Sequence, residues 1–121
     1  MQKNTSIAFT SQVFKGGILK MTIYEKLEML FWHLETGLVG DRYESIDNLQ
    51  HKIYKIMDKL DLEIYISDLE DITNVYDEFR DYNLLGELKD LNGDVIGHLD
   101  VYYLLDRNYG LYITEINVEV E

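Results

Sequence analysis

Residues 84–105 read LLGELKDLNGDVIGHLDVYYLL, and their pattern decides the fold class. Asn92-Gly93, near the middle, is a strong signal for a tight β-turn because both residues tolerate the positive φ angles that such turns require. The flanking segments are rich in leucine, valine and tyrosine, which suit a pleated, half-buried surface. The stretch therefore predicts a hairpin of two strands over residues 84–90 and 94–105.

A third strand is predicted directly after this hairpin. Residues 106–110 (DRNYG) have the composition of a turn, and residues 111–120 end in regular alternation. There Ile116, Val118 and Val120 alternate with Glu115, Asn117 and Glu119. Alternation with a period of two is typical of a strand with one buried face. The last 40 residues or so thus predict a three-stranded antiparallel meander.

Two helices are predicted near the beginning of the chain. Thr22 and Glu25 form a capping-box pattern, and leucine and phenylalanine follow at helical spacing up to Gly37. The first helix is therefore expected over residues 22–36. A second start signal at Asp41 and a second apolar series predict a helix over residues 42–60. Because the link is short, we expect an antiparallel helical hairpin.

A third helix is predicted between the hairpin and the meander. Ser67 and Glu70 make another capping pattern, and apolar residues continue at helical spacing to Phe79. This indicates a helix over residues 68–80. Helices segregated from strands imply an α+β fold, here one domain over residues 21–121 with the helical hairpin and third helix packed on the meander.

Residues 1–20 differ from the rest of the chain. They contain three lysines, no acidic residue and the pair Gly16-Gly17. Lys15 to Gly17 can be encoded by a purine-rich stretch resembling a bacterial ribosome-binding site, shortly before Met21. We expect residues 1–20 to be either upstream read-through or a disordered arm, and to contribute little to the fold.

Charge and composition restrict the class of partner. The net charge is −12, and residues 21–121 hold 8 basic and all 23 acidic side chains, a net of −15. Such a body disfavours direct binding to nucleic acid or membranes and favours a basic protein surface. The sequence has no cysteine, no secretory signal and no apolar run long enough to span a bilayer. These features predict a cytoplasmic protein.

Catalytic and cofactor motifs are not recognised in the sequence. His33, His51 and His98 fall on different predicted elements, so no metal centre, cofactor or enzymatic activity is expected. If Asn92-Gly93 is a two-residue turn between regularly paired strands, the hairpin places Glu87 opposite His98, with Asp100 on the same face. A carboxylate beside a histidine could act in acid–base chemistry, but an ordinary cross-strand ion pair is the expected interpretation.

The densest negative charge lies on the predicted third helix. Its acidic residues, which we predict to contact a partner, are Asp68, Glu70, Asp71, Asp77, Glu78 and Asp81. A helix rises about 1.5 Å per residue, so they would supply one charge per ~3.5 Å. One DNA strand carries a charge about every 3.4 Å along its axis. The alternative interpretation is a solvated helix face without a partner.

In size, acidity, lack of cysteine and α+β layout, residues 21–121 resemble the small acidic proteins that phages and mobile elements of Gram-positive bacteria use against host defences. The type II-A anti-CRISPR proteins are the most similar in character, although no diagnostic motif is shared. The resemblance implies an inhibitor that acts in the bacterial cytoplasm. It would bind the RNA-guided effector nuclease and block its DNA-binding surface as a nucleic-acid mimic. The alternatives are an immunity protein or antitoxin that neutralises a basic nuclease toxin, or a non-enzymatic phage adaptor.

Overall fold

The computed structural model describes residues 21–73 and 82–121, which contain two helices and six strands. The elements are α1 (Ile23–Leu38), β1 (Arg42–Tyr43), α2 (Ile46–Leu60), β2 (Tyr65–Ile66), β3 (Glu70–Asp71), β4 (Tyr82–Lys89), β5 (Val95–Leu105) and β6 (Leu111–Val120). All of the strands belong to one antiparallel sheet, which curls into a half-barrel.

The three long strands β4, β5 and β6 pair in chain order and form the centre of the sheet. The short strands lie at its edges and cover part of each one. β1 pairs with the start of β6, and β2 and β3 both pair with β4. Short edge strands leave little unpaired backbone on the sides that they cover.

Helix α1 begins where the sequence pattern places it. The Thr22 side chain accepts a hydrogen bond from the backbone N–H of Glu25 (3.1 Å), and the Glu25 carboxylate accepts one from the N–H of Thr22 (2.9 Å). Helix α2 starts later than predicted because Arg42 and Tyr43 pair with β6 as β1. Its N-cap is Ser45, whose hydroxyl accepts from the N–H of Asn48 at 3.1 Å. The link between the helices therefore contains a strand of the sheet.

The core lies between the helices and one face of the sheet, called the helix face below. Its fully buried side chains, at most 2% exposed, are Leu27, Leu30, Leu34, Leu38, Leu49, Ile53, Leu84, Leu88, Leu99, Val101 and Ile113. The helical members recur at intervals of three and four residues, and the sheet members alternate along their strands. Each element thus buries one apolar side.

The prediction of a helical hairpin and a third helix on a three-stranded meander is wrong, although the chain is α+β. The described part of the predicted third helix is extended and pairs with β4. The Ser67 hydroxyl, predicted to cap a helix, accepts from the N–H of Glu87 (2.8 Å), and the N–H of Ile72 donates to the carbonyl of Asn83 (3.0 Å). The backbone groups along the edge of β4 thus compete successfully with the local helical pattern.

Two predicted segments lie outside the described residues. They are residues 1–20 and residues 74–81, the second half of the predicted third helix. The interpretation of residues 1–20 as an arm or as upstream read-through therefore stays a prediction.

Candidate partner-binding surface

The side of the long strands that turns away from the helices is called the outer face. Because side chains alternate along a strand, the residues between the buried ones lie here. Cross-strand register arranges them in three rows. The rows are Asn83, Tyr102 and Glu115; Leu85, Asp100 and Asn117; and Glu87, His98 and Glu119.

The prediction that Glu87 faces His98 is confirmed, but two irregularities that compensate each other produce this register. The turn contains three residues rather than two, since the N–H of Asp90 donates to the carbonyl of Asp94 (3.0 Å). Gly93 adopts a φ of 83° in that turn, in the left-handed region that glycine tolerates. A bulge at Ile96, next to the turn, then restores the predicted register.

His98 forms its observed ion pair with the end of the chain rather than across the hairpin. Its Nδ1 lies 3.3 Å from Oε2 of Glu121, and both side chains are partly exposed. The register also places His98 between Glu87 and Glu119. The imidazole of His98 is therefore surrounded by carboxylates on a solvated sheet face, an arrangement typical of surface ion pairs between strands. Among the described residues no cluster of three or more histidine or acidic side chains is placed to hold a metal ion.

Asp100 is the least exposed acidic residue of the outer face, at 9% exposure. Burial raises the pKa of its carboxyl group, while a long hydrogen bond from Nδ2 of Asn83 (3.5 Å) acts in the opposite direction. The negative charge of Glu119 raises the pKa further. The Oδ1 atom of Asn83 is buried and has no hydrogen-bond partner among the described residues. Asp100 therefore sits at the centre of the face in an environment that disfavours its charge.

The acidic residues around Asp100 remain open to solvent. Glu87, Glu115, Glu119 and Glu121 are all exposed. Lys89, at the turn end of β4, is the only lysine or arginine within the strands β4, β5 and β6. Alternate residues of a strand are about 6.8 Å apart and neighbouring strands about 4.8 Å apart. The carboxylates therefore form a two-dimensional array rather than a line. Such an array suits a basic protein surface.

The opposite end of the sheet holds acidic residues in ion pairs. The Arg42 guanidinium contacts Asp106 and donates to Glu44 at 2.7 Å. Asp106 also accepts from the backbone N–H groups of Asn108 (2.9 Å) and Gly110 (2.8 Å) within the turn before β6. The hydrogen bonds from Arg42 and Gly110 lower the pKa of Asp106 to about 2. These carboxylates stabilise the turn and are less available to a partner.

The six predicted contact residues do not form a helical stripe where the structure describes them. Asp68 accepts from Nε2 of Gln50 and from the hydroxyl of Tyr54, both at 3.2 Å, and so joins α2 to the sheet edge. Asp71 accepts from the N–H of Thr73 (2.9 Å). Glu70 is exposed and lies opposite Leu85, at the border of the outer face. The other three predicted contacts, Asp77, Glu78 and Asp81, lie outside the described residues.

The acidic residues of β6 were not predicted as contacts, although the sequence contains their signal. The alternation of Ile116, Val118 and Val120 with Glu115, Asn117 and Glu119 already separates an apolar from an acidic side. The alternation alone does not give the strand register, which brings Glu87 and Asp100 beside Glu115 and Glu119.

Comparisons of the chain with protein-family models, curated proteins and solved structures found no match. Within residues 21–73 and 82–121, neither helix combines the length and the apolar character needed to cross a membrane.

Proposed function

We propose that this protein binds a basic, nucleic-acid-binding surface of another protein through the outer face of its sheet, and thereby excludes nucleic acid from that surface. The observation that carries the proposal is the exposed acidic array on β4, on β6 and at the residue after β6, namely Glu87, Glu115, Glu119 and Glu121. Opposite charge accelerates encounter with such a partner and penalises acidic competitors. The acidic mimic thus acts through a sheet face, not through the helix predicted from the sequence.

The partner to be tested first is the RNA-guided type II effector nuclease, which the resemblance of residues 21–121 suggests. Its DNA-binding channel is lined by positive charge. A basic nuclease toxin is the alternative partner, since an immunity protein would use the same electrostatics. Asp77, Glu78 and Asp81 stay predicted additional contacts, and their replacement by lysine is a separate test.

The experiment measures binding to the effector nuclease and displacement of its target DNA. Glu87, Glu115 and Glu119 are replaced together by lysine, and the control carries the same charge change at the exposed residues Glu35, Asp58 and Asp94. Placing like charges across the interface should weaken binding by about 100-fold or more in the first variant, while the control retains most of its affinity.

Equal affinity of the two variants would contradict the assignment of the outer face. Binding that does not weaken as salt is raised would indicate a contact without electrostatic character, as expected for an adaptor. If the effector nuclease does not bind at all, the same pair of variants tests the basic nuclease toxin.

A further inference from the structure

Among residues 21–73 and 82–121, one edge of the sheet is left unpaired along most of its length. β1 covers β6 only at its beginning, where the N–H of Ile113 donates to the carbonyl of Asp41 (3.0 Å) and the N–H of Gly40 donates to the carbonyl of Ile113 (2.9 Å). Within the described part of the chain, no strand pairs with residues 115–120 on this side. An open edge offers a row of backbone donors and acceptors to another extended segment.

The backbone groups that point outward can be identified. The N–H of Glu121 donates to the carbonyl of Ile96 on β5 (3.0 Å). Because the direction of backbone groups alternates along a strand, every second residue before Glu121 also directs them toward β5. The groups of Ile116, Val118 and Val120 therefore point to the open edge. The side chains of these same residues lie on the helix face.

An apolar groove runs beside this edge, between β6 and α1. It has a volume of about 210 Å³ and is lined mainly by Tyr24, Leu27, Phe31, Val118 and Val120. Tyr24 is 70% exposed and Val120 43% exposed, so the groove is open to an incoming chain. Its volume is below the roughly 300–1,000 Å³ of typical small-molecule pockets, which suits individual apolar side chains.

The chemistry differs between the two sides of the edge. On the outer face a new strand beside β6 would lie next to Glu115 and Glu119, and on the helix face it would lie next to Val118 and the groove. Side chains of one extended segment alternate between these two sides. We infer that the open edge of β6 binds an extended segment of the partner with alternating basic and apolar side chains, which adds a strand to the sheet. This inference deepens the proposed function and rests on it for the basic character of the partner.

A second copy of the chain fits this edge less well. If two β6 strands paired antiparallel about Asn117, Glu115 of each would face Glu119 of the other. Like charges directly opposite each other destabilise a strand pair. The same residues that attract a basic segment thus disfavour self-association.

The test uses the full chain and a labelled, end-blocked peptide of alternating lysine and valine, KVKVKVKVK. Binding is measured by fluorescence anisotropy. Two further peptides carry N-methyl groups either on all lysine or on all valine backbone nitrogens. In an added strand only one of these two sets of N–H groups points at β6. One methylated peptide should therefore bind at least about tenfold more weakly than the unmodified peptide, and the other should bind as the unmodified peptide does.

Val118→Pro provides the complementary test on the protein. Proline removes an outward N–H without removing a bond to β5, as edge strands permit, and should weaken the unmodified peptide about tenfold. Val120→Pro, at the exposed end of the strand, is a second variant that perturbs the core less.

Three results would overturn the inference. They are equal binding of the two methylated peptides, no binding of the unmodified peptide, or a dimer that Val118→Pro converts to a monomer. Because the peptide experiment requires no partner protein, its result is separate from that of the charge-reversal experiment. Peptide binding with no effect of outer-face reversal on binding to the effector nuclease would reject the outer face as the contact with that nuclease and leave the strand addition standing.

Discussion

The two faces of the sheet are made by the same three strands and have opposite chemistry. On the helix face, Leu84, Leu99 and Ile113 are completely buried against the helices. Between the buried positions of these strands, the outer face presents side chains such as Glu87 and Glu115 to solvent. Burial of apolar area contributes most of the folding free energy, whereas exposed charges contribute little. Stability and recognition are therefore assigned to different faces and can be changed separately.

The charge of α2 differs from that of the outer face of the sheet. The exposed lysines Lys52, Lys55 and Lys59 lie on α2, while the outer face of the sheet is acidic. The acidic array is therefore directional and would orient the protein toward a basic partner before contact.

The largest expected effect comes from the helix face. Leu99→Ala leaves a cavity in the core and should lower the free energy of unfolding by about 2–5 kcal/mol. Leu104→Ala is the matched control on the same strand, because Leu104 lies on the outer face and is 46% exposed. Urea unfolding of both variants measures the difference. Similar losses would mean that the outer face is covered to the same degree as the core.

Gly97 lies where β5 and β6 approach each other too closely for a side chain. A Cβ atom at this position would collide with the carbonyl oxygen of Glu119 on the neighbouring strand. Backbone cannot yield as a flexible side chain does, so Gly97→Ala should destabilise the fold by about 1–3 kcal/mol. Gly40→Ala serves as a contrast, since it has open space around it but a φ of 89°. Its cost would come from backbone strain alone and should not depend on Glu119.

The parts of this fold that sequence predicts are those fixed by local chemistry. The Thr22–Glu25 capping box and the alternation along β6 depend on neighbouring residues, and both appear in the structure. The segment around Ser67 contains a valid capping signal as well. Its hydroxyl bonds to Glu87, twenty residues away, because the edge of β4 is within reach. A nonlocal partner of this kind leaves no local pattern.

The candidate surface was predictable to a similar degree. Acidity was evident from the sequence, but the predicted helical stripe is wrong at residues 68–73, which are extended, and its remaining residues, 74–81, lie outside the described part of the chain. Asp68 is bound by Gln50 and Tyr54 of α2, a contact that requires the tertiary fold. The correct register at Glu87 and His98 followed from a turn length and a strand regularity that were both slightly wrong.

A smaller effect is expected at Asp100, the buried acidic residue of the outer face, whose contribution to stability depends on pH. Its folded pKa is raised above the unfolded value near 3.8, so the folded state binds more protons in the interval between the two. The stability that Asp100 contributes is present below the unfolded pKa and is lost as the pH rises through the folded pKa. Asp100→Asn removes this loss and offers a donor to Oδ1 of Asn83, for which residues 21–73 and 82–121 provide no partner.

We therefore expect Asp100→Asn to be more stable than the wild type at pH 7, with an advantage that shrinks toward pH 3. Asp106 behaves oppositely, since its lowered pKa of about 2 gives stability that disappears as the pH falls. Urea midpoints from pH 2 to pH 8 measure both trends. An advantage for Asp100→Asn that does not change with pH would contradict the role of burial.

The smallest expected effect concerns repulsion within the acidic array itself. Glu119→Gln removes one charge and keeps an oxygen that can accept from Nδ2 of Asn117, as Glu119 does at 3.2 Å. Glu119 also raises the pKa of Asp100, so its neutralisation should bring that pKa down. Stability should rise by only about 0.2–1 kcal/mol at low salt, since the carboxylate is exposed. At about 1 M salt the Debye length is roughly 3 Å, and the gain should vanish.

Glu35→Gln, on the exposed side of α1, is the control and should show neither the gain nor its salt dependence. If both variants gain equally, the repulsion arises from the net charge of the protein and not from the outer face. A gain confined to Glu119→Gln would mean that the array is held together against its own repulsion, a cost that a basic partner relieves on binding.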